Sequence, residues 1–98
     1  MPGDVEVERV ARTHRFEARL DGQSVGYMTY GDDGAGVLDL QHTVVAPAVR
    51  GQGVGEGLVR AVLADVRARG ERIIPSCPFV ADYLEAHPED RALVADGG

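Results

Sequence analysis

The sequence predicts a single small α/β domain (a mixed α+β fold) with a small mixed sheet, one long helix and a short C-terminal helix. Two observations predict this fold class. An amphipathic stretch at residues 54–69 stands between two apolar runs, Val37–Val45 and 73–76, as in a strand–helix–strand unit. Upstream, the runs at 15–20 and 23–30 flank a turn dipeptide. The chain has 98 residues, which is the length of one domain.

The antiparallel strands come before that unit. Valine alternates with charged residues at 5–9, which favours a first edge strand. Asp21 and Gly22 are typical of the type I′ turn that joins the two strands of a hairpin. The Gly- and Asp-rich stretch at 31–36 marks the next turn. We therefore expect Val37–Val45 to form a third, more buried strand.

The long helix is predicted from the spacing of its apolar residues, which lie on one stripe of helical period. They are Val54, Leu58, Val59, Val62, Leu63 and Val66. Gly70 provides a C-terminal stop. The crossover between the two parallel strands places the loop before this helix at the carboxyl end of the first strand, where open α/β sheets bind ligands. A second, short helix is expected at 78–87.

The start of the long helix lacks a capping residue. No Ser, Thr, Asp or Asn stands at residues 52–55 to accept the first-turn N–H groups, so these groups are free for a ligand. Glycine at alternate positions clears space beside the backbone, and the helix dipole adds positive potential. These glycines are Gly51, Gly53, Gly55 and Gly57. The loop is predicted to bind a phosphate; the alternative is a tight turn that binds no ligand.

Two better-known phosphate loops are excluded by spacing. Glu56 stands where the GxGxxG dinucleotide pattern needs a third glycine after Gly51 and Gly53. Glu56 and Gly57 also replace the Gly-Lys of a Walker loop. A carboxylate in the first helical turn suits the dipole but repels phosphate. Glu56 is therefore expected to point to solvent.

The remaining pattern, RGQGVG at residues 50–55, resembles the Q/R-x-x-G-x-G/A signature of the GNAT (GCN5-related) superfamily of acetyl-CoA-dependent N-acetyltransferases. HTxVxPxxRGQGVGxxLV from His42 and CPFVxxYLxxHPE from Cys77 resemble its small, single-domain members, and the resemblance covers residues 16–89. It implies a compact GNAT-like fold with a central strand–loop–helix–strand unit that binds coenzyme A. The domain spans the whole chain, with a core at about 5–94 and a loose tail at 95–98.

The same resemblance assigns the residues that bind coenzyme A. In GNAT proteins the loop amides hold its pyrophosphate, and the matching residues here are Arg50, Gly51, Gln52, Gly53, Val54 and Gly55. The two central parallel strands splay apart in that family, and the acetyl-pantetheine arm lies in the gap against backbone groups of the first strand. Those groups correspond to the backbone of Val44 and Val45. The side chains of both valines are expected in the core, whether or not their backbone contacts the ligand. Acetyl-CoA is the implied cosubstrate, and no metal is implied.

Acetyl transfer needs a group that takes the amine proton and help for the leaving thiolate. Cys77 precedes a helix N-terminus, which favours its thiolate as an acetyl acceptor; the alternative is a buried cysteine that only shapes the pocket. The period of two places His42 on the same strand face as Leu38 and Leu40. It is either a general base or a hydrogen-bonded core residue. The acidic base of many GNAT enzymes has only Asp39 as its counterpart, well back from the expected reaction centre.

Tyr83 lies on the short final helix, roughly where many GNAT enzymes place a tyrosine that protonates the coenzyme A thiolate. It falls several residues into the helix rather than at its start. Packing against Phe79, four residues earlier on the same face, is therefore its expected role.

Bulk properties exclude several kinds of partner. The net charge of −6 argues against nucleic acid, which needs a basic surface. No apolar run approaches the ~20 residues of a membrane span, and residues 1–12 lack the apolar segment of a signal peptide. The single cysteine excludes an internal disulfide and fits a reducing compartment, so a cytoplasmic location is expected. The oligomeric state stays open.

We therefore expect an acetyl-CoA-dependent N-acetyltransferase that moves an acetyl group to a primary amine of a small molecule or protein. The alternative is a catalytically inactive coenzyme A-binding module or sensor, which the short chain and the missing acidic base favour. Nothing in the sequence identifies the acceptor.

Overall fold

The structure, a computed structural model, describes residues 5–95. Within that range the strands and helices follow the predicted order: β1 Glu6–Val10, β2 Arg15–Leu20, β3 Gln23–Asp32, β4 Val37–Val45, α1 Val54–Ala68, β5 Arg72–Pro75 and α2 Pro78–Ala86. Short 3₁₀ turns follow β1, β4 and α2, at Ala11–Thr13, Pro47–Val49 and Pro88–Leu93. No helix in the described range has the length and apolar character to cross a membrane.

The sheet has the order β1-β2-β3-β4-β5, so every strand lies beside its neighbour in the chain. The first four strands pair antiparallel, and β5 pairs parallel to β4 after α1 has crossed over. This confirms the predicted mixed sheet, although β1 lies one residue later than predicted and β5 one residue earlier. In the β2–β3 turn, Asp21 and Gly22 have φ of 52° and 80°, both positive as a type I′ turn requires.

Helix α1 lies against one face of the sheet and contacts all five strands. The six residues that it buries are the six of the predicted stripe. They form one core cluster with inward side chains of the sheet, including Phe16, Met28 and Leu40, each at most 1% exposed. The buried residues of α2 belong to the same cluster, so the core lies on one face of the sheet.

A β-bulge interrupts β4. Tyr30 of β3 pairs with Leu40, whereas the preceding Thr29 pairs with His42, which leaves Gln41 as an extra residue in β4. A bulge of this kind bends the strand that carries it and increases the local twist. It also shifts the alternation of side chains between the two faces by one position.

Backbone hydrogen bonds fix the end of α1 and the last described residues. Gly70, with φ of 69°, donates its N–H to the carbonyl of Arg67 at 3.2 Å, which confirms the predicted glycine stop. Ala95 was predicted to begin a loose tail, but its N–H donates to the carbonyl of Ile73 at 2.8 Å. The remainder of the predicted tail, 96–98, lies outside the described residues.

Arg9 joins the edge strand β1 to the end of α1. Its Nη2 lies 2.7 Å from Oε1 of Glu71, and its Nε lies 3.1 Å from Oδ2 of Asp65. The guanidinium also lies 5.0 Å from the centre of the Phe16 ring. The hydrogen bond to Glu71 raises the pKa of Arg9, and burial raises the pKa of Tyr30 nearby. The raised pKa of Arg9 thus reflects a structural ion-pair cluster, and the raised pKa of Tyr30 reflects burial in the core beside it.

Candidate active site

Strands β4 and β5 separate where the site is predicted. Their pairing ends at Leu40 and Pro75. Two residues past Pro75, the N–H of Cys77 donates to the carbonyl of Leu40 at 2.8 Å. Past Leu40, β4 continues to Val45, and no strand in the described part of the chain pairs with it on that side. The two strands therefore leave a cleft, as the family resemblance implied.

Cys77 forms one wall of this cleft. Its side chain is 4% exposed, and its Sγ lies 3.4 Å from Oγ1 of Thr43, which is hydrogen-bond distance. This contact crosses the gap between the two separating strands. A thiolate has no hydrogen to give, so in that state the Thr43 hydroxyl is the donor. Sequence reasoning did not select Thr43, because the residue faces Cys77 only as a result of the bulge.

His42 lies on the opposite face of β4 from Cys77, which corrects the sequence prediction. The period of two placed its side chain in the core with Leu40, but the extra residue Gln41 shifts the alternation. Thr43 is consequently turned toward the core, and His42 is exposed. The structure does not bring His42 and Cys77 together; they flank β4 from its two sides.

Val44 and Val45 end β4 at the mouth of the cleft. Both side chains were expected in the core, but Val44 is 42% exposed because the bulge turns it to the open face, whereas Val45 is partly buried and packs on the core. They pair with Tyr27 and Gly26 of β3, so only backbone groups on the cleft side are left for a ligand. Glycine is needed at position 26, because a Cβ there would lie 2.5 Å from the carbonyl oxygen of Val44.

The loop after β4 presents N–H groups that have no acceptor. Helix α1 begins at Val54 after Gly53, which provides no side-chain cap. The first helical hydrogen bond runs from the Gly57 N–H to the Gly53 carbonyl at 2.9 Å. The N–H groups of Val54, Gly55 and Glu56 thus have no acceptor among the described residues. Together with the helix dipole they favour an anion at this point.

The loop glycines have different roles. Gly51 and Gly53 have φ of 83° and 78°, a left-handed conformation that glycine adopts without strain. No atom of the described residues lies within 4 Å of a Cβ built on either, so the backbone there faces open space in that part of the chain. At Gly55, in contrast, a Cβ would lie 2.8 Å from Cζ of Phe79. The missing side chain of Gly55 therefore makes room for the Phe79 ring rather than for a ligand, while its N–H stays free.

The positive charge at the loop is local. Arg50 is exposed and makes no ion pair within residues 5–95. Arg60, on the exposed side of α1, lines a separate groove of about 450 Å³ that also includes Asp90. Gln52 and Glu56 are exposed, the latter as predicted. Arg50 and the free N–H groups are thus the features that favour an anion here.

A cavity of about 180 Å³ opens beside the loop, between the start of α1 and the side of α2. Its lining consists of Glu56, Phe79, Asp82, Tyr83, Ala86 and His87. The ring of Tyr83, expected to pack against Phe79, stacks on His87 with 3.9 Å between centres and 14° between planes. Sequence reasoning did not predict this cavity, although the spacing of Phe79, Tyr83 and His87 could have indicated a shared helical face.

The sequence matches a known family over most of its length. Residues 15–93 fit the family described as GCN5-related N-acetyl-transferase. The chain belongs to this family. Among its GNAT relatives, Protein NATD1 of Mus musculus is 30% identical over 87 residues, which span 88% of this chain and 79% of NATD1. Protein NATD1 of Homo sapiens is 31% identical over 85 residues, which span 86% and 75% respectively.

Solved GNAT structures share the fold. A GCN5-like protein of Staphylococcus aureus matches with a TM-score of 0.68 over 95% of this chain and 90% of its own. The two sequences are 24% identical, so this match shows the fold alone. A GNAT-family acetyltransferase from Brucella melitensis, solved in complex with acetyl-CoA, has a TM-score of 0.55 and 28% identity over 74% of this chain and 54% of its own. The predicted GNAT-like fold is confirmed.

Proposed function

We propose that the protein is an acetyl-CoA-dependent N-acetyltransferase that acetylates a primary amine of a small molecule or protein. The observation that carries the proposal is the group of N–H groups at Val54, Gly55 and Glu56, which have no acceptor within residues 5–95 and lie beside the cleft between β4 and β5. A pyrophosphate would satisfy these donors. GNAT family membership and the acetyl-CoA complex of the Brucella relative support the same ligand.

Binding would rely on backbone more than on side chains. The N–H groups of the loop and the Arg50 guanidinium offer the positive potential that a pyrophosphate needs, in a chain whose net charge is −6. Backbone groups of Val44 and Val45 on the cleft side would orient the arm that leads to the reacting carbonyl. Acetyl-CoA supplies the activated acetyl group.

Two routes to the amine fit the cleft. In the direct route the neutral amine attacks the thioester carbonyl, the bond from that carbon to sulfur breaks, and coenzyme A leaves as its thiolate. His42 on the open face of the sheet takes the amine proton, directly or through a water molecule, and the departing thiolate takes up a proton from solvent. In the second route the Cys77 thiolate attacks the carbonyl, the bond to the coenzyme sulfur breaks, and the amine then takes the acetyl group from Cys77. The Thr43 hydroxyl stands 3.4 Å from Sγ to assist that second route.

A coenzyme A-binding module without catalysis is the second candidate. The separation of His42 and Cys77 by the sheet favours it, because within residues 5–95 the side chain at hydrogen-bond distance from the cysteine is the Thr43 hydroxyl and not a base. Asp39 does not fill this role, since it lies opposite Ile74 in the paired part of the two strands, back from the cleft.

A matched pair of variants, Gly53→Glu and Gly34→Glu, tests ligand binding. The two glycines have nearly the same φ, 78° and 76°, and open space around a Cβ, so the strain of substitution is similar. Gly34 lies in the β3–β4 turn, away from the loop. In a calorimetric titration with coenzyme A, Gly53→Glu should bind roughly 100-fold more weakly or not at all, since charge-assisted hydrogen bonds of ~1.5–3 kcal/mol each are lost. Gly34→Glu should bind like wild type.

The proposal fails if wild-type protein does not bind coenzyme A, or if the two variants bind equally. Intact-protein mass spectrometry after incubation with acetyl-CoA then separates the routes. One added acetyl group in wild type and none in Cys77→Ala supports transfer through the cysteine. Binding without an adduct, with acetylation of an amine in a screen, supports direct attack; binding with neither product leaves the coenzyme A-binding module.

A further inference from the structure

The cavity beside the loop has walls of an unusual composition. Phe79 and Tyr83 lie four residues apart on one face of α2, and His87 directly follows the last residue of that helix. All three rings line the cavity. Tyr83 is 7% exposed and already stacked on His87. Phe79 is 41% exposed, which makes it one of three exposed large apolar residues within 5–95. The aromatic face therefore has room for one more flat ring.

The His87 ring is held in a defined orientation. Its Nδ1 lies 2.9 Å from the carbonyl oxygen of Tyr83. Because a carbonyl oxygen only accepts, Nδ1 carries the hydrogen in this contact. The stacked pair of Tyr83 and His87 is thus fixed before any ligand arrives, which reduces the entropy cost of stacking a further ring.

The rim of the cavity carries two carboxylates, Glu56 of α1 and Asp82 of α2, both exposed. Carboxylates repel phosphate but accept hydrogen bonds from an amino group. Glu56 is exposed in the first turn of α1, where it suits the helix dipole and can also accept a hydrogen bond from a ligand. A neutral group with an N–H donor next to the phosphate would supply that hydrogen bond.

The location of the cavity favours the nucleotide end of the ligand over the reacting end. Phe79 touches the position of Gly55, whose N–H belongs to the proposed phosphate site. Thr43 and Cys77, which mark the reacting end, are not among the lining residues. A cationic acceptor amine would also suit carboxylates and aromatic rings, but in this cavity it would lie beside the phosphates instead of beside the thioester.

The size of the cavity agrees with one ring system. Pockets for complete drug-sized ligands measure about 300–1,000 Å³, whereas this cavity measures about 180 Å³. We propose that it binds the adenine base of coenzyme A, with the ring stacked on Phe79 and the exocyclic amino group donating to Asp82 or Glu56. This assignment rests on the proposed function, since it assumes that the pyrophosphate occupies the neighbouring loop.

The test compares two ligands in calorimetric titrations: coenzyme A, and 4′-phosphopantetheine, which has the same arm and one of the two bridging phosphates but no adenosine. Phe79→Ala should weaken coenzyme A by about 5- to 30-fold, the usual effect of removing an aromatic ring from under a base. The same variant should leave 4′-phosphopantetheine within about 2-fold, since the base is absent from that ligand. Glu85→Gln is the control, because Glu85 is exposed on α2 and lines a different groove.

A second comparison tests the carboxylates without touching the packing of Phe79. Wild-type protein should prefer coenzyme A over its analogue with hypoxanthine, in which a carbonyl replaces the amino group. Asp82→Asn combined with Glu56→Gln should remove most of that preference. Both substitutions are at exposed positions, so the fold should be unaffected.

The outcomes separate this assignment from the proposed function. If wild-type protein binds neither ligand, both proposals are wrong. If wild type binds coenzyme A but Phe79→Ala weakens both ligands equally, or neither, the cavity does not hold the base, while the proposed function stands. If the preference for adenine persists without the two carboxylates, the assignment of the amino group is wrong.

Discussion

At the scale of single residues, the contact between Thr43 and Cys77 is the feature with the most direct bearing on chemistry. The two side chains come from different strands and meet at 3.4 Å across the gap. The hydroxyl can donate to a thiolate, and a hydrogen bond to a charged group contributes about 1.5–3 kcal/mol. Thr43 would then be a positioning residue for Cys77, with no contact of its own to the acetyl group.

Thr43→Val and Thr43→Ser test this role. Valine keeps the branched shape but has no donor, so acetylation of Cys77 by acetyl-CoA should slow by roughly 10-fold or more. Serine keeps the hydroxyl and should restore most of the rate. The measurement is the time course of the acetyl adduct by intact-protein mass spectrometry. Equal rates for the valine and serine variants would contradict a role for the hydroxyl.

Residue-level predictions from the sequence were correct where local spacing decides them. The uncapped helix start and the exposure of Glu56 follow from residues adjacent in the chain. The predicted face of His42 was wrong, because the face that the side chain occupies depends on how β4 pairs with β3. The role of Gly55 was incomplete, because Phe79 comes from a different helix.

At the scale of elements, the strands and helices with strong hydrophobic periodicity were predicted accurately from the sequence. β4 and α1 have the predicted bounds to within one residue, since an apolar run and a helical stripe are explicit in the sequence. The bulge at Gln41 has no such signal. An extra residue in one strand changes neither composition nor average hydropathy, and becomes evident only when the partner strand is placed beside it. The direction in which β4 leaves β5 could therefore not be predicted.

Deletion of Gln41 tests whether the bulge opens the cleft. Without this residue, β4 alternates regularly and its remaining side chains keep the faces that they have now. We expect a folded protein whose β4 lacks the bend, with coenzyme A binding weakened by roughly 10-fold, about the value of one charge-assisted hydrogen bond. Deletion of Ala35, which is exposed in the β3–β4 turn, is the control. Unfolding in urea and calorimetric titration measure the two quantities.

If the Gln41 deletion binds coenzyme A as tightly as wild type, the bulge does not shape the cleft. If it fails to fold while the Ala35 deletion folds, the bulge is required for the pairing of β3 with β4 instead.

At the scale of the whole molecule, the sheet is covered by helices on one face, and its outermost strand depends on a side-chain cluster. Arg9 of β1 binds Asp65 and Glu71, at the two sides of the end of α1, and its side chain is 11% exposed. Such a pair is costly to break on one side, because Glu71, whose side chain is 17% exposed, would be left poorly solvated, whereas Asp65 keeps its ion pair with Arg69. The cluster thus connects the first strand to the last turn of the long helix.

Arg9→Gln should lower the free energy of unfolding by about 2–3 kcal/mol, below the ~3–5 kcal/mol for a fully buried pair. Arg19→Gln is the matched control, since Arg19 forms an exposed pair with Glu8 and should change the free energy by less than ~1 kcal/mol. Urea denaturation of the two variants and wild type measures the difference. A similar loss in the free energy of unfolding for both variants would show that the Arg9 cluster stabilises the protein no more than an exposed ion pair does.

The order of the strands also bears on how the protein folds. β1 to β4 are neighbours both in the chain and in the sheet, so they can pair through short loops at a low entropic cost. β5 can pair with β4 only after α1 has crossed over. This step brings together β4, β5 and the start of α1, which surround the cleft. We expect refolding to produce the antiparallel meander early and the cleft last. A chain arrested before that step would have most of its sheet and no capacity to hold its ligand.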